Sequence, residues 1–143
     1  MKTLKQMLAD KHSTLAVVSP KDSVFHALSV MAQHEVGALL VLDGEQLVGI
    51  FSERDYARKI ILQGKTSKET LVSEIMSDRV AYVTPSASVD ECMALMTEKR
   101  FRHLPVLNED GSVAGMVSIG DLVKETISTQ QFLIAELERY ISG

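Results

Sequence analysis

The sequence predicts an α/β fold of the α+β kind: two β-α-β-β-α repeats packed with pseudo-two-fold symmetry. Three observations predict it. The first is a repeated string: Val83-Thr84-Pro85-Ser86-Ala87-Ser88-Val89 restates Val18-Ser19-Pro20-Lys21-Asp22-Ser23-Val24, and Pro85 minus Pro20 gives an offset of 65. Met96 falls on Met31 and Val106 on Val41 at that same offset. The second is a shared Gly-x-x-Ser-x-x-Asp string, Gly49/Ser52/Asp55 and Gly115/Ser118/Asp121, reached in the second copy after one extra turn residue. The third is the order of hydrophobic periods, which passes from strand to helix to hairpin to helix in both copies. A period this long, present only twice, fits a facing pair rather than a solenoid. A facing pair builds its cleft twice.

In the first copy, Leu4 to Leu8 is a short amphipathic entry turn, and Leu15 to Val18 is a β-rich run stopped at Pro20. Ser23 opens a helix whose inward face is Val24, Ala27, Leu28 and Met31, the i, i+3, i+4, i+7 pattern. Gly37 to Leu42 is a continuous apolar run, as expected of a strand covered on both faces. Asp43-Gly44 turns the chain, Leu47 to Phe51 completes a hairpin, and Ser52 begins a helix running to about Leu62. The polar stretch Gln63 to Ser67 is the linker. In the second copy, Leu71 to Met76 is the entry turn and Ala81 to Val83 a strand. Ser88 opens a helix with Val89, Cys92, Met93 and Met96 inward, and Ser88 and Glu91 have capping-box spacing. Leu104 to Leu107 and Val113 to Val117 form a hairpin around Glu109-Asp110-Gly111. Ser118 opens the last internal helix, and a tail, Thr126 to Ile141, has no counterpart in the first copy. The expected divisions are residues 1–66, 67–127 and a helical tail 128–143. A three-stranded sheet with helices on one side buries one face well, and pairing two such units buries the other.

Composition narrows the function classes. The 143 residues carry a net charge of −4, which argues against broad nucleic-acid binding through phosphate neutralisation. One cysteine allows no intramolecular disulfide and points to a reducing compartment. The longest apolar stretch, Val36 to Leu42, is far short of the ~20 residues that span a bilayer. Met1 to Leu8 contains no apolar h-region, so a cytoplasmic, non-membrane protein is expected.

The Gly-x-x-Ser-x-x-Asp string admits two uses. Serine caps the helix, the acid complements the capping box and the helix dipole, and glycine relieves packing. The same geometry suits a ligand: free N–H groups at a helix N-terminus accept phosphate, and a carboxylate there accepts two hydrogen bonds from a ribose diol. The duplication at equivalent positions supports the second use without removing the first.

Arg102-His103-Leu104-Pro105-Val106 with Gly115-Met116-Val117-Ser118-Ile119-Gly120-Asp121-Leu122 is similar to the second half of a tandem pair of CBS domains, the module named after cystathionine β-synthase. Val36-Gly37-Ala38-Leu39-Leu40-Val41 with Gly49-Ile50-Phe51-Ser52-Glu53-Arg54-Asp55 resembles the first half of small stand-alone bacterial members. The resemblance covers about residues 1 to 127 and extends into the tail. It implies two sheets packed together, two clefts, and an adenosine ligand: AMP or NAD(H) first, with ATP, ADP and S-adenosylmethionine as further members of the class. Carried onto this chain, one cleft takes Leu15, Ala16, Val17, Val36, Gly37, Ala38 and Leu39 with Ser118 and Asp121. The other takes Val80, Ala81, Tyr82, Arg102, His103, Leu104 and Pro105 with Ser52 and Asp55. The two aspartates hold ribose hydroxyls, strand backbone and apolar side chains hold adenine, and Arg54 and Arg102 are the phosphate candidates. The first copy has Leu40 where the second has Pro105, so the clefts are not equivalent.

Other chemistry-bearing residues read as structural. Arg54, Arg58 and Lys59, and Lys99, Arg100 and Arg102, also fit solvated faces. His103 fits a packed, hydrogen-bonded histidine, and His12, His26 and His34 have no metal-ligand spacing, so no metal is expected. Cys92, on an inward helix face, reads as an inert thiol. No Ser/His/Asp or Cys/His arrangement, P-loop or dinucleotide glycine string occurs, so neither an enzyme nor a catalytic cofactor is expected. The expected protein is a regulatory module that senses an adenine nucleotide and forms a homodimer. The alternative is a constitutive interaction module acting on a redox or metabolic enzyme partner.

Overall fold

In a computed structural model, which describes residues 2–9 and 15–142, the chain has mixed helix and strand content and small sheets. Its elements are α1 (Leu4–Ala9), β1 (Val17–Val18), α2 (Val24–His34), β2 (Ala38–Asp43), β3 (Gln46–Ser52), α3 (Glu53–Tyr56), α4 (Val72–Ile75), α5 (Val89–Lys99), β4 (His103–Leu107), β5 (Val113–Ser118) and α6 (Ile119–Ser142). The described residues form two compact units. The first comprises residues 15–82 and 107–113, the second residues 2–9, 83–106 and 114–142.

In the first unit β1, β2 and β3 form one sheet in that order, β1 parallel to β2 and β2 antiparallel to β3. Gly44, at φ 65°, makes the tight turn of the hairpin, a left-handed conformation that glycine adopts without steric cost. Leu39, Val41 and Phe51 of the sheet meet Val24, Ala27 and Met31 of α2, with Ile60, Val72 and Ile75, in one apolar core. Ser23 opens α2 as expected, its hydroxyl accepting from His26 N at 3.1 Å. In the second unit Ser88 caps α5 in the same way, accepting from Glu91 N at 3.0 Å. Val89, Cys92 and Met96 of α5 are buried there, as are Leu4 and Met7 of α1.

The entry helices exchange places. In the first unit α4 docks on α2: Val24 N donates to Thr70 O, Val72 N to Asp22 O and Ser73 N to Pro20 O. In the second unit α1 docks on α5 by the same three bonds: Val89 N to Lys2 O, Leu4 N to Ala87 O and Lys5 N to Pro85 O. Each copy's first helix is therefore packed with the other copy's capped helix.

Three elements differ from expectation. The segment Ala81–Val83 is not a strand; it contributes a single parallel bridge, Val83 to Val106, with Val83 N donating to Pro105 O at 3.1 Å. In the first copy Leu40 N donates to Ala16 O at 3.2 Å, and Pro105, standing where Leu40 does, has no N–H to repeat that bond. The helix after Ser52 is α-helical only over Glu53–Tyr56 and continues as a π-helical turn, Ala57–Ile61. The last internal helix and the tail are one uninterrupted helix of 24 residues, because no glycine or proline interrupts it after Gly120. His12, weighed above as a metal ligand, lies outside the described residues.

Candidate functional site

Both Ser-x-x-Asp strings form the turn between a strand end and a helix start, and they differ in how the carboxylate is held. In the first copy Asp55 Oδ2 accepts from Ser52 N and Ser52 Oγ, each at 3.0 Å, while Ser52 Oγ accepts from Asp55 N at 3.2 Å. Asp55 Oδ1 lies 3.4 Å from Ser77 Oγ and 3.4 Å from Lys59 Nζ. Lys59 Nζ also donates to Ile75 O at 2.9 Å, which fixes the ammonium beside the carboxylate. Asp55 is buried, at 8% exposure. Its charge is thus compensated inside the first unit, as a buried carboxylate requires.

In the second copy Asp121 Oδ2 accepts from Ser118 N at 3.0 Å, and Ser118 Oγ accepts from Asp121 N at 3.1 Å. This aspartate is only half-buried. The residue four positions on is Glu125 in place of lysine, and it pairs with Lys2 at 3.0 Å. At the end of α1, the position matching Ser77 is Ala9, which carries no hydroxyl.

A second difference concerns phosphate. The first helical N–H of each turn donates to a backbone carbonyl at the start of the preceding hairpin: Glu53 N to Gly37 O at 3.1 Å, and Ile119 N to Arg102 O at 2.9 Å. In the first copy the Glu53 carboxyl lies over Gly37, where an added Cβ would meet it at 3.7 Å. An acid at that helix N-terminus opposes an anion. In the second copy the residue beside the helix N-terminus is Arg102, which is exposed. The Arg102 backbone thus shares one unit and one helix entrance with Ser118 and Asp121; the resemblance implied a cleft that sets Arg102 with Asp55.

The glycines of both strings are packing residues. A Cβ at Gly49 would lie 2.7 Å from Met76 Sδ and 2.9 Å from the Ser77 carbonyl oxygen, and one at Gly115 would lie 2.8 Å from Leu8 Cδ2. In each case the glycine admits the end of the exchanged entry helix.

The other site candidates divide by exposure. Ala16, Ala38, Leu39, Leu104 and Pro105 are buried, so what they can offer a ligand is backbone. Leu15, Val17, Tyr82 and Arg54 are exposed, and Val36, Gly37, Val80, Ala81, Ser52 and His103 are half-buried. Val80 and Tyr82 line a hollow of about 660 Å³ in the first unit with Glu45, Gln46, Leu47, Val48, Asp78, Leu107 and the turn residues Asp110, Gly111 and Ser112. Two hydrogen bonds from Ser112, one from its hydroxyl and one from its N–H, hold the Asp110 carboxyl below its ordinary pKa. Three carboxylates and no basic side chain line this hollow, a field that repels phosphate. Sequence reasoning missed Ser77 and the acidic lining. Ser77 reaches Asp55 across 22 residues, and neither Ser77 nor the acidic lining carries a sequence pattern of its own. Among the described residues no group of three His, Cys, Asp or Glu side chains is placed to hold a metal, and no helix is long and apolar enough to cross a membrane.

The CBS domain model matches residues 9–62 and 72–128. The mitochondrial CBS domain-containing protein CBSX3 of Arabidopsis thaliana is 46% identical over 127 residues, 85% of this chain and 61% of that protein. This chain therefore spans under two thirds of that relative. A solved protein with CBS domains from Burkholderia ambifaria MC40-6 superposes with a TM-score of 0.85 at 52% identity, covering 90% of this chain and 96% of that one. CBSX2 in complex with AMP superposes with a TM-score of 0.74 at 27% identity, covering 91% of this chain and 99% of that one.

Proposed function

The chain belongs to the CBS-domain family, and from that premise we propose that it is a non-catalytic regulatory module that binds an adenine nucleotide of the AMP or NAD(H) type. The entrance of α6 carries this reading: Asp121 receives the ribose hydroxyls, the Arg102 guanidinium beside the helix start receives phosphate, and Ser118 holds the carboxylate in place. AMP in the related CBSX2 supports the ligand class. The corresponding turn in the first copy is a structural lock, with Asp55 compensated by Lys59 and Ser77 and with Glu53 where phosphate would sit. Binding shifts the population of conformations toward the one the ligand prefers, by no more than its difference in affinity between them. The working form is a cytoplasmic homodimer.

A thermal-shift series with AMP, ADP, ATP, NAD, NADH and S-adenosylmethionine tests this. A ligand at 100 times its dissociation constant adds about 2.7 kcal/mol, a shift of several degrees for a chain of this size. Asp121→Ala and Arg102→Ala each weaken AMP binding by roughly 10- to 100-fold, the loss of hydrogen bonds to a charged group. No shift with any ligand, and no nucleotide released on extraction, overturns the proposal in favour of a constitutive interaction module.

A further inference from the structure

The second half of α6 is exposed on every side, yet its sequence is not that of a solvated helix. Ile127, Ile134 and Ile141 recur at seven-residue spacing, and Val123, Gln130 and Leu137 form a second row at the same spacing. These are the two rows of a helix–helix seam, and Leu133 and Tyr140 widen it along one edge. Phe132 lies off this face. Exposure runs from 40% at Val123 through 54% at Ile134 and 61% at Leu137 to 87% at Tyr140. Together these seven apolar side chains leave roughly 800 Å² uncovered, about what each partner gives to a stable interface of standard size. An isolated monomer rarely keeps such a patch open.

We infer that this face is covered by α6 of a second copy, lying antiparallel. It rests on the homodimer of the proposed function, and it names the surface and the direction.

The direction follows from the edges. In an antiparallel pair each row opposes the other: Ile127 meets Leu137 of its twin, Ile134 meets Gln130, and Ile141 meets Val123. Along one edge Lys124 then faces Glu138, opposite charges, and along the other Leu133 faces Leu133 near the two-fold axis. A parallel pair would instead set Leu133 against Glu138 and pair no opposite charges. Gln130, the one polar residue in the rows, fixes register as buried polar side chains do in such seams. A two-fold pair repeats each contact, so one sequence satisfies both sides.

The test is the mass of the full chain in solution, by light scattering, with thiol-specific crosslinking of single replacements. The expected mass is twice the chain mass of 15.7 kDa. With a short crosslinker Leu133→Cys is captured as a dimer and Ile141→Cys is not; Cys92, buried, does not react. The pair Ile134→Glu with Leu137→Glu, both exposed positions, halves the mass while the far-ultraviolet circular dichroism is kept. Capture of Ile141→Cys instead means parallel helices and overturns the inference. A dimer in which neither position is captured places the interface elsewhere, overturning this seam but not the homodimer. A wild-type monomer overturns both.

Discussion

At the residue scale, the two glycines of the repeated string show how alike positions come to carry unlike costs. The sequence assigns both to packing, and each faces the end of an entry helix. The obstacle at Gly49 includes the Ser77 carbonyl, which is held in place by accepting from Ile50 N at 3.0 Å. The obstacle at Gly115 is the end of the Leu8 side chain, which can rotate. Overpacking against fixed backbone costs typically 1–3 kcal/mol. Gly49→Ala is therefore expected to lower the denaturation midpoint by about that amount, and Gly115→Ala by well under 1 kcal/mol. Equal losses in chemical denaturation would show that the Leu8 side chain is as fixed as the carbonyl. Cys92 gives a second test at this scale. Burial raises its thiol pKa, so it reacts with thiol reagents only when the second unit opens.

At the element scale, most of what the chain forms is dictated locally. Ser23 and Ser88 start their helices where their hydroxyls can accept from the third helical N–H, and both helices end in a left-handed residue, Glu35 at φ 54° and Arg100 at φ 58°. The hairpin β2–β3 follows from a continuous apolar run turned at Gly44. Which copy an entry helix joins is not local. Leu4 is 0% exposed in the second unit, beside α5, and Val72 is 0% exposed in the first, beside α2. A buried leucine cut to alanine costs about 2–5 kcal/mol. Leu4→Ala is accordingly expected to speed hydrogen exchange in α5 and to leave α2 nearly unchanged, although Leu4 is nearer to α2 in sequence. Val72→Ala gives the reverse pattern. Faster exchange in α2 on changing Leu4 would contradict the exchange of entry helices.

At the scale of the whole molecule, the duplication is exact in outline and unequal in chemistry. Lys59 and Ser77 compensate Asp55, whereas Glu125 and Ala9 stand at the matching sequence positions of the second copy. Glu53 occupies one helix entrance, while Arg102 sits beside the other. Titration calorimetry with AMP is expected to give one nucleotide per chain, lost in Asp121→Ala and kept in Asp55→Asn. Two nucleotides per chain would mean that Lys59 and Ser77 yield Asp55 to a ligand. Glu53→Ala is the complementary probe, since removing that acid relieves the first copy's entrance of its repulsion toward phosphate.

The amino-acid sequence by itself determined the duplicated β-α-β-β-α order, the inward faces of α2 and α5, the serine caps and the family. These depend on residues within a few positions of one another, where spacing alone states which side chains share a face. It also flagged the Leu40/Pro105 difference, whose effect, a strand reduced to one bridge, follows from the missing N–H of proline. Tertiary structure decided the rest: which helix the entry segments cover, that Ser77 and Lys59 close on Asp55, and that Arg102 stands beside Ser118 and Asp121. Apart from Lys59 and Asp55, four positions apart on one helical turn, those pairings join residues 16 to 87 positions apart. No periodicity encodes them, because a contact that distant is chosen by competition among surfaces for burial rather than by the geometry of neighbouring peptide units.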